Sequence, residues 1–128
     1  MSLDVDIQRK EAGVFNVSLR GPLDNSTYSL LEKELKPFLE KLLKVIILNM
    51  EGVNYISSMG IGTIFKIAKA VKDNQGTFLI INLQPQIKKV FDTVKVLPEA
   101  IFRNIEEADA YINEIQKRAL EKDKPASY

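Results

Sequence analysis

The stretch Val45-Ile46-Ile47-Leu48-Asn49-Met50, followed by Ser57-Ser58-Met59-Gly60-Ile61-Gly62, decides the fold prediction for this chain of 128 residues. The apolar run Val45–Leu48 is typical of a strand that is covered on both faces or packs against a layer of helices. The second stretch opens an amphipathic helical pattern. Backbone N–H groups at a helix start favour an anion, so a phosphate on Ser58 would be stabilised there. We therefore interpret Ser58 as a phosphorylatable residue at a solvent-facing helix start.

The rest of the sequence alternates between strand and helix patterns. Apolar residues at every second position predict an antiparallel hairpin within the first twenty residues, and residues 77–83 predict a further buried strand. Helical patterns follow the turn at 21–27, begin near Ser58, open at 84–85, and run from about Ile105 to Leu120. The helix that begins near Ser58 is predicted to bury a stripe of Ile61, Ile64, Phe65, Ala68 and Val71. The last helix is predicted to turn its apolar side inward, with Ala108, Tyr111, Ile112, Ile115 and Ala119. Ile101-Phe102 is a candidate for a short strand. We predict an α/β fold with a mixed sheet of four to five strands, which starts with an antiparallel hairpin and packs against about four helices.

Chain length and composition limit the functions that are open to this chain. The length predicts a single domain over residues 1–122 with a flexible tail over residues 123–128. Without cysteine or histidine, the chain lacks a thiol nucleophile, the usual general base and the commonest transition-metal ligands. Its 18 basic and 17 acidic residues give a net charge of +1, which does not favour nucleic acid as a partner. The sequence pattern predicts neither a leader nor a membrane-spanning segment. We predict a cytoplasmic protein that is not an enzyme and uses no cofactor or metal.

The predicted strands place their following turns close together. If the strands at 14–20, 45–50 and 77–83 run parallel, their C-terminal ends lie at one edge of the sheet. The turns at 23–27, 54–59 and 84–86 then meet at that edge. Ser58 is predicted to lie in its middle, where α/β sheets usually bind ligands and partners.

Three segments of the chain resemble a known family, the third more loosely than the others. The segment Val53-Asn54-Tyr55-Ile56-Ser57-Ser58-Met59-Gly60-Ile61-Gly62, preceded by its apolar strand, resembles the signature of the STAS family, the anti-sigma factor antagonists of bacteria and their relatives. The usual form of that signature is Asp-Ser-Ser/Thr-Gly-Leu-Gly after a valine and an aromatic residue. Leu19-Arg20-Gly21-Pro22-Leu23-Asp24 is similar to the family's Gly-x-Leu-Asp turn. A looser similarity at residues 83–91 and beyond extends the resemblance over nearly the whole predicted fold.

The resemblance implies roles for individual residues. Ser58 matches the family's phosphoacceptor, which lies two residues before the first glycine. Ser57 replaces the preceding aspartate and Met59 replaces the following serine or threonine, while Asp24 retains the turn aspartate and is expected to approach Ser58. The resemblance implies a partner-binding surface at the two turns, made of Asp24, Asn25, Ser26, Thr27, Ile56, Ser57, Met59, Gly60, Ile61 and Gly62.

The resemblance also implies a cycle of partner exchange. The unphosphorylated protein is expected to bind an anti-sigma factor that is also a serine kinase, which frees a sigma factor. Phosphorylation of Ser58 is expected to end that binding, and a serine phosphatase is expected to restore the first state. Oligomeric state is left open.

Three other interpretations remain for the same residues. Ser58 fits a helix N-cap that does nothing more, because serine is a preferred residue there. The chain also fits a STAS scaffold that is not phosphorylated, or a module that senses a nucleotide or another small ligand. Finally, Asp24, Ser57, Ser58 and the backbone donors near Gly60 fit a small enzyme or nucleotide-binding site, although they make a thin catalytic set.

Overall fold

The computed structural model describes residues 2–40, 43–96 and 105–122. These ranges contain four strands and four helices, in the order β1 (Asp4–Glu11), β2 (Val14–Arg20), α1 (Tyr28–Leu39), β3 (Val45–Gly52), α2 (Ser58–Asp73), β4 (Thr77–Ile81), α3 (Pro85–Val96) and α4 (Ile105–Lys122). The predicted fold class is confirmed. The candidate strand at Ile101-Phe102 and the tail at 123–128 lie outside the described residues.

The four strands form one mixed sheet in the order β1-β2-β3-β4. β1 and β2 are antiparallel and pair Ile7 with Val17, as the predicted hairpin requires. β3 runs parallel to both of its neighbours, so that Leu48 lies between Val17 and Ile80. The C-terminal ends of β2, β3 and β4 therefore lie at one edge of the sheet, and the turn that precedes α1 and the loop that precedes α2 leave from this edge.

The hydrophobic core lies on one face of the sheet. Alternate residues of β2 and β3 are buried there with residues of all four helices, in a cluster that includes Val17, Leu19, Ile46, Leu48, Met50, Leu31, Leu35, Ile61, Ile64, Ile87 and Ile112. On the opposite face, Ile47 is half-buried, and Leu79 and Ile81 of β4 are exposed. The sheet is thus packed against helices on one face, which decides between the two arrangements expected for the apolar run.

The inward face of α2 differs in part from the predicted stripe. Ile61, Ile64 and Val71 are buried as predicted, but Ile67 takes the place predicted for Phe65 and Ala68. Phe65 is 36% exposed, and its ring packs edge-on against Phe91 of α3. Spacings of three and four residues follow the helical period of 3.6, which places Phe65 on the flank of the buried stripe.

Candidate functional site

The turn that follows β2 and the loop that follows β3 are joined by backbone hydrogen bonds. The Leu23 N–H donates to the Tyr55 carbonyl at 3.0 Å, and the Ser57 N–H donates to the Leu23 carbonyl at 3.0 Å. The side chains of Leu23 and Ile56 are fully buried beside this bridge. The two segments predicted to meet at the sheet edge are therefore held side by side, and they carry the first residues of α1 and α2.

Ser57, not Ser58, caps α2. Its hydroxyl accepts a hydrogen bond from the Gly60 N–H at 3.2 Å and donates one to Asn25 Oδ1 at 3.0 Å. Its backbone is extended, with φ −103° and ψ 173°, as an N-cap requires. Serine in place of the family's aspartate therefore still satisfies a free N–H of the helix. The interpretation of Ser58 as the cap is wrong, because Ser58 is the first residue inside the helix.

Ser58 is buried against a carboxylate of α4. Its side chain is 1% exposed, its hydroxyl donates to Asp109 Oδ1 at 2.7 Å, and its backbone N–H donates to the same oxygen at 2.9 Å. A carboxylate at this place is favourable, because it receives donors of the helix start and faces the positive end of the helix dipole. The expectation of a solvent-facing Ser58 is wrong for this structure, since α4 covers the start of α2.

The carboxylate of Asp24 accepts hydrogen bonds from residues of the same turn. Its Oδ1 accepts hydrogen bonds from the Ser26 N–H at 2.9 Å, the Ser26 hydroxyl at 2.7 Å and the Thr27 hydroxyl at 3.3 Å. Burial alone would raise the pKa of Asp24, but these hydrogen bonds outweigh burial and lower the pKa from its ordinary value. Among the described residues, the carboxylate that contacts Ser58 is that of Asp109. The expected approach of Asp24 to Ser58 is therefore replaced by a contact with α4.

Two further polar side chains of α4 bind the loop before α2. Gln116 is 4% exposed; its Oε1 accepts from the Ile56 N–H at 3.1 Å and its Nε2 donates to the Ile56 carbonyl at 2.9 Å. The Tyr55 hydroxyl donates to Asn113 Oδ1. Burial, followed by the negative charge of Asp109, raises the pKa of the Tyr55 hydroxyl. Positions 109, 113 and 116 are separated by four and three residues, which places them along one side of the helix.

Sequence reasoning did not identify these residues of α4. It predicted the apolar side of the helix, and Ile112 and Ala119 are buried as expected. The available signal was Gln116, a polar residue that falls between the two buried positions along the helix. A buried amide requires hydrogen-bond partners, and the unpaired backbone of the Ile56 segment supplies them.

The predicted partner-binding residues divide into two groups. Five are buried, namely Thr27, Ile56, Ser57, Gly60 and Ile61, and five are half-buried or exposed, namely Asp24, Asn25, Ser26, Met59 and Gly62. Gly60 is required by close packing, because a Cβ atom there would lie 2.5 Å from the Leu23 carbonyl oxygen. In this conformation, the surface open to a partner is therefore the second group.

An open groove of about 510 Å³ adjoins that surface between α1 and α2. Its lining is Tyr28, Glu32, Ser58, Met59, Gly62, Thr63, Phe65, Lys66 and Lys69. Lys66 Nζ lies 3.3 Å from Glu32 Oε1, and Lys69 Nζ lies 3.3 Å from Asp73 Oδ2. The groove thus combines apolar surface with two basic side chains that are already paired to acidic ones.

Two negative findings apply to the ranges that the structure describes. No group of acidic side chains is arranged there to hold a metal ion. No helix within residues 2–40, 43–96 and 105–122 is long and apolar enough to cross a membrane.

Comparison with known proteins finds similar sequences among bacterial regulators. BtrV of Bordetella bronchiseptica is 28% identical over 92 residues, which make up 72% of this chain and 77% of that protein. The anti-sigma-B factor antagonist of Staphylococcus aureus (strain NCTC 8325) is 27% identical over 92 residues, with coverage of 72% of this chain and 84% of that protein.

Solved structures and a family model agree with these sequence matches. The anti-sigma factor antagonist SpoIIAA in its unphosphorylated form superposes with a TM-score of 0.61 at 19% identity, over 70% of this chain and 82% of SpoIIAA. The phosphorylated form from Bacillus gives a TM-score of 0.62 at 19% identity, over 74% of this chain and 86% of that one. At this identity the likeness shows a shared fold. The model of the STAS domain matches residues 7–108, most of the chain. The chain therefore belongs to the STAS domain family.

Proposed function

We propose that this chain is an anti-sigma factor antagonist whose binding to an anti-sigma factor with serine kinase activity is switched off by phosphorylation of Ser58. The observation that carries the proposal is the position of Ser58 as the first residue of α2, directly after Ser57, whose hydroxyl bonds to Asn25 of the exposed turn. The similarity to the anti-sigma-B factor antagonist of Staphylococcus aureus supports the general role. In the proposed cycle, a serine phosphatase removes the phosphate and restores binding.

The surface that would bind the anti-sigma factor combines the exposed turn with the start of α2. Asn25 and Ser26 supply polar groups, and Met59 and Gly62 line the adjoining groove. Burial of such a mixed surface is the ordinary basis of a transient protein interface. Thr27, Ile56, Ser57, Gly60 and Ile61 would then support this surface from beneath, since they are buried.

A phosphate on Ser58 would weaken this contact through its charge. It adds about −1.5 to −2 charges at neutral pH and three strongly solvated oxygens. Covering these oxygens without paired cations costs several kcal/mol. Lys66 is already paired with Glu32, and Lys69 with Asp73, so neither is a ready counter-ion. A loss of about 4 kcal/mol weakens binding about a thousandfold, which is enough for a switch without refolding.

Phosphosite mapping tests the proposed acceptor. The protein is incubated with ATP and the serine kinase of the anti-sigma type that is encoded nearest to its gene, and modified residues are identified by mass spectrometry. We expect modification of Ser58, its loss in Ser58→Ala and its retention in Ser57→Ala. Modification confined to Ser57, or absent altogether, would contradict the proposal.

Calorimetric titration of the same kinase tests the switch. Ser58→Glu introduces a negative charge, and Ser58→Gln is the neutral control of similar size. We expect the dissociation constant of Ser58→Glu to exceed that of Ser58→Gln at least about tenfold, which corresponds to about 1.4 kcal/mol. Equal dissociation constants for Ser58→Glu and Ser58→Gln would show that binding does not depend on the charge at position 58, which would reject the switch.

The burial of Ser58 favours one alternative, a STAS module that is not phosphorylated and binds a protein or small ligand through the same surface. Calorimetric titration tests this alternative. A module of this kind would bind the kinase partner, or a nucleotide, with an affinity that does not change when the protein is first incubated with kinase and ATP. A catalytic role has less support, because the polar atoms of Asp24, Ser57 and Ser58 already bond to other groups of the protein.

A further inference from the structure

We infer that α4 is an autoinhibitory latch that closes over Ser58 through Asp109 and Gln116 and controls access to its hydroxyl, an inference that rests on the proposed function in that Ser58 is the phosphoacceptor. The closed state is the one described above. A phosphorylated Ser58 is incompatible with that state, so phosphorylation and closure exclude each other.

The first support is the position of the contacts. Four polar groups of the loop and helix start, the Ile56 N–H and carbonyl and the Ser58 N–H and hydroxyl, all bond to side chains of α4. Within the described part of the chain, these groups have no partner in the sheet. The two bonding residues, Asp109 and Gln116, lie about two turns apart on the same side of the helix. The latch therefore binds the short segment 56–58 at both of its ends, through Gln116 at Ile56 and Asp109 at Ser58.

The second support is burial. Ser58 is 1% exposed although it adjoins an open groove, and the carboxylate of Asp109 covers its hydroxyl from the α4 side. A kinase must align the acceptor hydroxyl with a nucleotide phosphate, and Asp109 Oδ1 already occupies the hydrogen-bonding direction of that hydroxyl at 2.7 Å. Transfer of a phosphoryl group to Ser58 thus requires Asp109 to move away first.

The third support is charge. Phosphorylation replaces the hydrogen that Ser58 donates to Asp109 with a dianionic group attached to the same oxygen. The attraction between donor and carboxylate becomes a repulsion between two anions in a partly buried place. Gln116 carries no charge and would not repel the phosphate. The repulsion therefore acts between the phosphate and Asp109, near the beginning of α4. Ile112, which is fully buried between the two, keeps the helix near the core.

Thiol labelling tests the latch without a kinase. The chain contains no cysteine, so Ser58→Cys provides a single thiol at the proposed covered position. Its reaction with dithiobis(nitrobenzoic acid) is compared in the Ser58→Cys protein, in Ser58→Cys with Gln116→Ala, and in Ser58→Cys with Arg118→Ala. Arg118 lies on the same helix, and the structure pairs it with Glu114 on the exposed surface. Circular dichroism establishes that each variant is folded.

We expect the introduced thiol to react at least about tenfold more slowly in the folded protein than in the same protein unfolded in urea. Gln116→Ala removes the bonds to the Ile56 backbone, and we expect it to accelerate labelling about tenfold. Arg118→Ala should leave the labelling rate within a factor of about two. The latch is rejected by labelling of the folded protein at the unfolded rate, or by equal rates in the two double variants.

Hydrogen exchange provides a test in the unmodified protein. The Ile56 and Ser58 amides donate to α4, whereas the Leu48 amide lies in the central strand β3. If the latch opens while the sheet stays folded, the first two amides exchange at least about tenfold faster than that of Leu48. A single common rate, as produced by global unfolding, would overturn the inference even if Gln116→Ala did not fold.

A kinase assay then separates the latch from the proposed function. With the kinase described above, we expect Gln116→Ala to be phosphorylated at Ser58 faster than Arg118→Ala. If neither is phosphorylated while the labelling rates differ as expected, the latch holds and the proposed function fails. If both are phosphorylated at one rate, the latch fails and the proposed function holds.

Discussion

One side-chain oxygen of Asp109 accepts two hydrogen bonds from Ser58, a residue 51 positions away in the chain. The backbone N–H and the hydroxyl of Ser58 both donate to Asp109 Oδ1, at 2.9 and 2.7 Å. The first turn of α2 is thereby tied to the beginning of α4. The proposed phosphoacceptor is therefore held by a carboxylate of the same chain.

Asp109→Ala should destabilise the protein by about 1.5–3 kcal/mol, the usual range for hydrogen bonds to a charged group. The substitution leaves the Ser58 N–H and hydroxyl without their acceptor. Asp109→Asn should cost less, since its amide oxygen still accepts. Urea unfolding measures these free energies. Glu114→Ala, which breaks an exposed ion pair on the same helix, should change the stability by no more than about 0.5 kcal/mol. Similar losses in Asp109→Ala and Glu114→Ala would contradict the described contact.

Charge at position 58 should couple to charge at position 109. Ser58→Glu places two carboxylates in contact, whereas Ser58→Gln has a similar size without the charge, so the first should be less stable by about 1–3 kcal/mol. Replacing Asp109 by Asn should remove most of that difference, because the repulsion needs both charges. The four unfolding free energies form a double-mutant cycle. An unchanged Glu–Gln difference in the Asp109→Asn background would show that the size of the side chain causes the loss.

The sequence predicted the fold well because local patterns determine its elements. Alternation in β1 and β2, the apolar run of β3 and the helical stripe of α2 each reflect burial of one side of an element. The order of these elements then restricts the topology, and the parallel pairing of β2 with β3 follows from the helix between them.

The environment of Ser58 was not predictable in the same way. A pattern within residues 45–62 identifies a strand, a loop and a helix start, but it contains no information about which distant element covers them. The cover is α4, whose docking depends on Ile112 in the core and on Gln116 at the loop. Sequence reasoning chose Asp24 as the neighbouring carboxylate because the two turns meet, yet Ser26 and Thr27 bind that carboxylate locally.

Gly60→Ala should destabilise the protein by about 1–3 kcal/mol, the usual cost of overpacking a tight contact. The added Cβ atom would lie 2.5 Å from the Leu23 carbonyl oxygen, which is backbone and cannot rotate away. Gly62→Ala is the matched control. Gly62 lies in the same helix and lines the open groove, so alanine there should be neutral or stabilise by up to about 1 kcal/mol. Thermal unfolding distinguishes the two, and equal midpoints would contradict the close approach of the two turns.

Asp24 should make a pH-dependent contribution to stability. Its pKa in the folded protein is lowered by hydrogen bonds from Ser26 and Thr27, which outweigh burial. A lowered pKa stabilises the folded state above the unfolded value of about 3.9, and this contribution disappears as the pH falls through the folded pKa. Wild type should therefore exceed Asp24→Asn in unfolding free energy at about pH 7, by less than about 1 kcal/mol because the carboxylate is only partly buried.

The same difference should vanish in strong acid, where both proteins carry an uncharged group at position 24. Urea unfolding from neutral pH down to about pH 2.5 covers the window in which a lowered carboxyl pKa acts. Glu114→Gln, which removes a carboxylate from an exposed ion pair, controls for a general change in net charge. A stability difference between wild type and Asp24→Asn that is constant across this range would mean that the turn depends on the shape of Asp24 and not on its charge.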